Sequence, residues 1–400
     1  MDSPLRMAVR LGRGGGSQVR KTVVISNIRG GGSVWAAAKW ANAWSERGDV
    51  VSIVAIFSTE GEGGDFPLHE RVSLLKMDLS DRPVGNRLAA LKRLLCGLYA
   101  IRKAVRQTRP DVVISFDGPV NTRTLMACLG LRVPVVVMEQ AHPAYYSFGR
   151  FWERCREFVY PRAAAVVNLT RTASDWCVER FAPRRVEVIH NPLYPVKGRA
   201  RLDHAGPKTL ITAARMVEQK RLDLLIRAFA QIAGRHPDWR LVIYGDGPDR
   251  PELERQAAAT GLGDRIAMPG WTEYLSARMA EADLFVLSSA YEGFGNVIVE
   301  ALAVGLPVVS FDCPSGPSDI IRHGVDGLLV PPLDVEALAL ALSSLMADDA
   351  LRRRMGARGP EVLERFTMEG TLAKWDELLG QVAGGADRQA SARRTEGEAA

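Results

Sequence analysis

The chain has 400 residues, of which 47% are hydrophobic and 24% charged, too long for one ordinary core and too apolar for a disordered chain. The net charge of +6 suits phosphate-bearing substrates or an anionic surface. Aromatics are only 7% and no reading module occurs, which excludes nucleic acid as a partner.

Residues 1–20 read as a disordered basic leader without an apolar signal core. Lys21–Ser26 is a buried-strand run, followed by the glycine loop Gly30-Gly31-Gly32-Ser33 and a helix over Val34–Arg47 that stops at Gly48. Val50–Phe57, Asp111–Ser115, Val133–Met138, Ala164–Leu169 and Val186–Ile189 continue as strands. Between them, Asn86–Arg109 is rich in Leu, Lys and Arg and holds no Asp or Glu. It reads either as an ordinary helix with its cations in water or as a peripheral contact with an anionic membrane.

The rhythm breaks at His190-Asn191-Pro192-Leu193-Tyr194-Pro195, and residues 196–207 read as a linker. It restarts with strand Thr209–Ala213, helix Leu222–Ala233 and strands Trp239–Tyr244, Leu284–Ser288 and Pro307–Phe311. Short apolar strands alternating with helices predict an α/β chain with two doubly wound, Rossmann-like domains, 21–195 and 208–365, facing each other across a cleft. Residues 366–382 are expected to form a helix packing back on the first domain, and 383–400 a disordered tail.

Three segments carry chemistry. In Tyr291-Glu292-Gly293-Phe294-Gly295-Asn296, followed by a helix holding Glu300, two glycines sit in a strand-to-helix turn. Such a turn lets a ligand approach the backbone, and the opening amides suit an anion. Glu300 can accept from two ribose hydroxyls and Glu292 from a sugar hydroxyl. A capped surface helix with two incidental acids is the plainer reading. In the second segment, Arg215 and Lys220 flank another loop between strand and helix, a fork and a point charge for a diphosphate. The third, Cys313-Pro314-Ser315-Gly316-Pro317-Ser318, either closes a donor pocket or is a proline-rich turn capped by Ser318.

In this order the segments resemble the family 4 glycosyltransferases of the GT-B fold, over roughly residues 21 to 380. The resemblance rests on Glu292 and Glu300 in EGFGNVIVE, on Arg215 and Lys220 with four residues between them, on ALAVGLPVVSFDCPSGPSDII with Gly324–Val330, and on VIHNPL. It implies a retaining transfer of a hexose or N-acetylhexosamine from a nucleotide-diphosphate sugar, by preference a UDP-sugar. The implied acceptor is a glycan or lipid-linked glycan of polysaccharide or lipopolysaccharide biosynthesis. Arg215 and Lys220 would neutralise the diphosphate and Glu300 would bind ribose. Glu292 with Gly293, Phe294, Gly295 and Asn296 would hold the sugar and phosphate, and Gly31 and Gly32 would complete the cleft. The GGGS sequence departs from the family's glycine-glycine-acid turn. His142 lies where some members place a catalytic-site histidine, and a structural loop histidine is the alternative.

No cofactor and no metal are implied. The chain has no Asp-x-Asp pair, and its histidines form no close ligand pair. The five cysteines are odd in number and lack a C-x-x-C pair, which fits reduced thiols in a cytoplasmic protein, peripheral or not on the inner face of the cytoplasmic membrane. A nicotinamide enzyme would need G-x-G-x-x-G, but Trp35 and Arg250 stand where the third glycine belongs. A nucleotide-sugar epimerase of the same plan is the nearest rival.

Overall fold

The structure, a computed structural model, describes residues 18–28, 32–57, 66–79, 86–145, 148–193, 196–204 and 206–397. The first seventeen residues, including most of the expected leader, lie outside it.

Two parallel sheets organise the chain. The first contains β1 (Arg20–Ile25), β2 (Val50–Ala55), β3 (Ser73–Lys76), β4 (Val112–Phe116), β5 (Val135–Glu139), β6 (Ala165–Asn168) and β7 (Val186–Val188), in the order β3-β2-β1-β4-β5-β6-β7. The second contains β8 (Lys208–Ala213), β9 (Trp239–Tyr244), β10 (Ile266–Gly270), β11 (Leu284–Leu287), β12 (Val308–Phe311) and β13 (Gly327–Val330), in the order β10-β9-β8-β11-β12-β13. Central strands such as Val112–Phe116 and Val308–Phe311 are buried along their whole length, because helices cover both faces.

Helices Arg87–Thr108, Gly118–Cys128 and Arg171–Phe181 contribute to one core against the first sheet, around Ile101, Val105, Leu125 and Phe181. The other core of that sheet receives helix Gly32–Glu46 through Trp40 and Trp44. The final helix, Met368–Gly397, sets the buried Trp375 edge-on to both, with ring centres 5.6 Å and 5.8 Å away. Arg47 adds an ion pair to Asp376 at 2.9 Å. The backbone of this helix runs on as far as Gly397, through the stretch read from sequence as a disordered tail. The Ala, Gln and Arg there are good helix formers.

The strands that pattern reading passes over, β3, β10 and β13, are all sheet edges. The β3 run SLLK is only partly buried, and β10 carries Pro269 and Gly270, so neither shows the apolar run of a central strand.

Candidate functional site

Strand order reverses between β1 and β4 in the first sheet and between β8 and β11 in the second. Loops leaving the carboxyl ends of strands at such a point diverge and leave a crevice. The two crevices face one another and share a cavity of about 390 Å³. Gly32, Ser33, Asp117 and Gln140 line it from the first sheet, and Arg215, Lys220 and residues 292–297 from the second. The structure therefore brings together Arg215, Lys220, Glu292, Gly293, Phe294, Gly295 and Asn296. Gly32 joins them as the first residue of helix Gly32–Glu46. Gly30 and Gly31 lie outside the described residues.

The loops after β8 and β11 are laced together. The Ala290 amide donates to the Gln219 carbonyl at 2.8 Å, the Gln219 side chain donates to the Tyr291 carbonyl at 2.8 Å, and Ser288 Oγ donates to the Lys220 carbonyl at 2.9 Å. At the centre, Lys220 Nζ donates to Glu292 Oε1 at 2.5 Å, and Ser289 Oγ donates to the same oxygen at 2.6 Å. Glu292 is buried and needs these partners, since an unpaired carboxylate there would be costly. Arg215 is exposed and makes no ion pair among the described residues, so its guanidinium is available to a ligand.

Gly293 has no room for a side chain: a Cβ would run into the Gln140 carbonyl oxygen of the facing domain. Ser315 Oγ donates to the Gly293 carbonyl at 3.0 Å and lies 2.7 Å from Thr170 Oγ1 across the cleft. Phe294 is buried, stacked on His190 with ring centres 5.0 Å apart. Gly295 takes φ 94°, a left-handed conformation open to glycine, and starts helix Asn296–Ala303 without a side-chain cap. Its first amides thus remain donors beside Arg215 and Lys220, a suitable seat for phosphate oxygens. Glu300 is half-buried on that helix with no ion pair or hydrogen bond to its side chain among the described residues, and burial pushes its carboxyl up to about 7. The third segment differs from its plainer reading. Gly316, at φ 111°, precedes the short helix Pro317–Ile320, and Ser318 lies inside the helix rather than capping it.

His142 is not brought into the cavity; its neighbours Gln140 and Ala141 line it instead. The His142 ring is buried beside Tyr145 and Trp176. Its Nδ1 accepts from the Ala144 amide at 3.2 Å and the ring also bonds the Thr172 backbone, while burial lowers its pKa. These contacts hold the ring within its loop.

Three lining residues, Asp117, Gln140 and Asn191, were given no role in the sequence reading. Asp117 follows β4 at φ 70°, bonds Ser33, and is pushed up to about 6, by burial first and then by Glu139. Gln140 follows β5 and accepts from Asn191 Nδ2 at 3.1 Å, leaving Gln140 Nε2 and Asn191 Oδ1 without partners among the described residues. Glu139 is held behind them by Arg156 at 3.0 Å and by the Tyr160 hydroxyl. The available signal was position: all three follow a strand's carboxyl end. Among the described residues no group of three or more His, Cys, Asp or Glu is placed to hold a metal ion, and no helix is long and apolar enough to cross a membrane.

Comparison with known proteins agrees with this geometry. Residues 198–362 match the family described as Glycosyl transferases group 1, and residues 31–192 match the Glycosyl transferase 4-like domain. The chain is 35% identical to the lipopolysaccharide core biosynthesis glycosyltransferase LpsD of Rhizobium meliloti, over 67% of this chain and 75% of that protein. It is 32% identical to an exopolysaccharide phosphotransferase of Streptomyces coelicolor over 88% of its own length, but spans only 39% of that longer protein. Among solved structures, the Anabaena protein HepE in complex with UDP and glucose superposes with a TM-score of 0.73 at 19% identity, covering 91% of this chain and all of that one.

Proposed function

Because the chain belongs to the family 4 glycosyltransferases, with their GT-B fold, we propose that it transfers a hexose or N-acetylhexosamine from a UDP-sugar to a glycan or lipid-linked glycan, retaining the anomeric configuration and using no metal. The observation that carries this reading is the grouping of Arg215, Lys220 and the uncapped helix start at Gly295 around one cavity. As the bond from the anomeric carbon to the diphosphate breaks, charge grows on the outer phosphate. Fixed donors aimed at that oxygen are the main lever a protein has. Lys220 is held ready by Glu292, Arg215 is free to fork onto a phosphate, and Glu300 stands one turn along the helix for ribose. The acceptor oxygen bonds the anomeric carbon on the face the diphosphate leaves, and its proton passes to the departing phosphate. Gln140, Asn191 and Asp117 give the first domain's wall polar groups for sugar hydroxyls.

A UDP donor is supported by the HepE complex, and a lipid-borne acceptor by the lipopolysaccharide role in the name of LpsD. The test is incubation of the purified chain with labelled UDP- and GDP-sugars, with and without a membrane extract and with and without EDTA. Label should move from UDP-sugar into extract glycan, with EDTA making no difference. Conversion of the donor without extract would instead indicate an epimerase. Loss of transfer in EDTA, restored by Mg²⁺ or Mn²⁺, would overturn the metal-free mechanism.

A further inference from the structure

Asp117 stands directly after β4, at the N-cap of helix Gly118–Cys128. An N-cap aspartate ordinarily takes a free amide of the first turn with its carboxylate. Asp117 makes no such bond. Its backbone, at φ 70° and ψ 135°, lies in a region that glycine tolerates and that strains a residue with a side chain. Two backbone bonds hold it there. The Asp117 amide donates to the Met138 carbonyl at 3.1 Å, and the Asn121 amide donates to the Asp117 carbonyl at 2.7 Å. Strain of this kind, kept where the cap is forgone, marks functional positions.

The carboxyl instead bonds Ser33, in the first turn of helix Gly32–Glu46, and Asp117 lines the shared cavity. Glu139, at the end of β5, stands behind it and is paired with Arg156 of helix Arg150–Val159. Across the cavity are Arg215 and Lys220, the latter paired with Glu292. The cations that suit a diphosphate therefore belong to the second domain, and an acid stands opposite them on the first. A carboxylate repels a diphosphate but accepts well from a neutral hydroxyl. The donor sugar already has Glu292 beside the phosphate seat. The chemistry of Asp117 thus fits the other substrate.

We propose that Asp117, set by Ser33, positions the acceptor: its carboxylate accepts from the hydroxyl next to the one that attacks. The attacking oxygen bonds the anomeric carbon as the bond to the diphosphate breaks, and its proton passes to the departing phosphate. The neighbouring hydroxyl keeps its own proton, so Asp117 stays a carboxylate throughout. The substrate class follows: the acceptor sugar carries two adjacent free hydroxyls, with no anionic substituent on that pair. Burial raises the Asp117 carboxyl to about 6, against the Ser33 bond and with a further push from Glu139, so the acceptor is held best above that pH. The inference rests on the glycosyl-transfer reading and names the substrate that the first domain's acid holds.

Transfer is measured with the full chain, saturating labelled UDP-sugar and graded amounts of membrane extract as acceptor, and UDP binding is measured separately by calorimetry. Asp117→Asn keeps the shape and tolerates a positive φ. It should lower kcat/KM for the acceptor about 10–100-fold, the worth of one hydrogen bond to a charged group, and leave UDP affinity unchanged. In the parent, kcat/KM for the acceptor should fall as pH drops below about 6, where the carboxylate is lost; in the Asn variant it should not. Saturating donor keeps the titration of Glu300 out of this profile. Asp117→Gly relieves the backbone, so it should melt no lower than the parent while losing transfer as the Asn variant does. Parent-like acceptor kinetics and pH profile in both variants would overturn the inference and leave the transfer reading standing. So would a rise in donor KM with acceptor KM unchanged, or a fall in melting temperature in both variants that tracks the loss of transfer. A parent that neither binds UDP nor transfers sugar would instead remove the transfer reading, and this inference with it.

Discussion

Lys220 Nζ lies 2.5 Å from Glu292 Oε1. One residue comes from the loop after β8 and the other from the loop after β11, on either side of the second sheet's switch point. The pair joins the two loops and sets an ammonium beside the uncapped helix start at Gly295. Glu292 is thereby a positioning residue as well as a candidate contact for sugar.

Lys220→Ala is expected to lower turnover at saturating donor by about 10²–10³, the cost of deleting one fixed donor to a developing oxyanion. Near-normal turnover would count against the role given to it. Glu292→Gln keeps the shape but loses the ion pair, so its loss and that of Lys220→Ala should not add in the double variant.

Gly293 is the point where the second domain's turn meets the first domain's backbone. Gly293→Ala should force Gln140 away and lower kcat/KM by about 10²-fold, the usual effect of a displacement of about 1 Å at a reacting centre. Steady-state kinetics with a melting curve checks this; unchanged kinetics would mean that the domains do not work at this separation.

Glu300 supplies a pH dependence. Its carboxyl is raised from 4.5 to about 7 in the folded chain. Between those values the native state holds a proton that the unfolded chain has released. The stabilising contribution is therefore complete below about pH 4.5 and lost as pH rises through about 7. Relative to the parent, Glu300→Gln should show a melting-temperature advantage that is absent below about pH 4.5, grows as pH rises to about 7 and stays at its full size above. Donor KM in the parent should rise as pH falls below about 7, where the carboxylate that accepts from ribose is lost. A flat KM profile would remove Glu300 from ribose binding.

Among the described residues, Gln140 and Asn191 leave one amide nitrogen and one amide oxygen without partners in a buried setting. Buried polar atoms normally find partners, so a sugar hydroxyl is expected to supply them. Asn191→Leu should raise the KM for one sugar substrate about tenfold, the worth of roughly one hydrogen bond, with little loss of melting temperature. A large drop in melting temperature with unchanged KM would make the pair structural.

The sequence alone located the second domain's half of the candidate site. Arg215, Lys220, Glu292 and the glycine turn lie in loops whose strands and helices are read from local periodicity, and the roles expected of them follow from the family resemblance. The central strands were legible for the same reason, being buried on both faces. Edge strands β3, β10 and β13 were less so, because a strand with one neighbour needs no continuous apolar run. Only the tertiary structure decided the facing wall. Asp117, Gln140 and Asn191 have no role assigned from sequence and gain meaning by meeting one cavity from separate strands. His142 is placed by tertiary contacts too, its ring bonded to the Ala144 and Thr172 backbone beside the cavity-lining Gln140 and Ala141. Periodicity specifies which face of an element is buried, whereas the direction of a loop side chain depends on contacts tens of residues away.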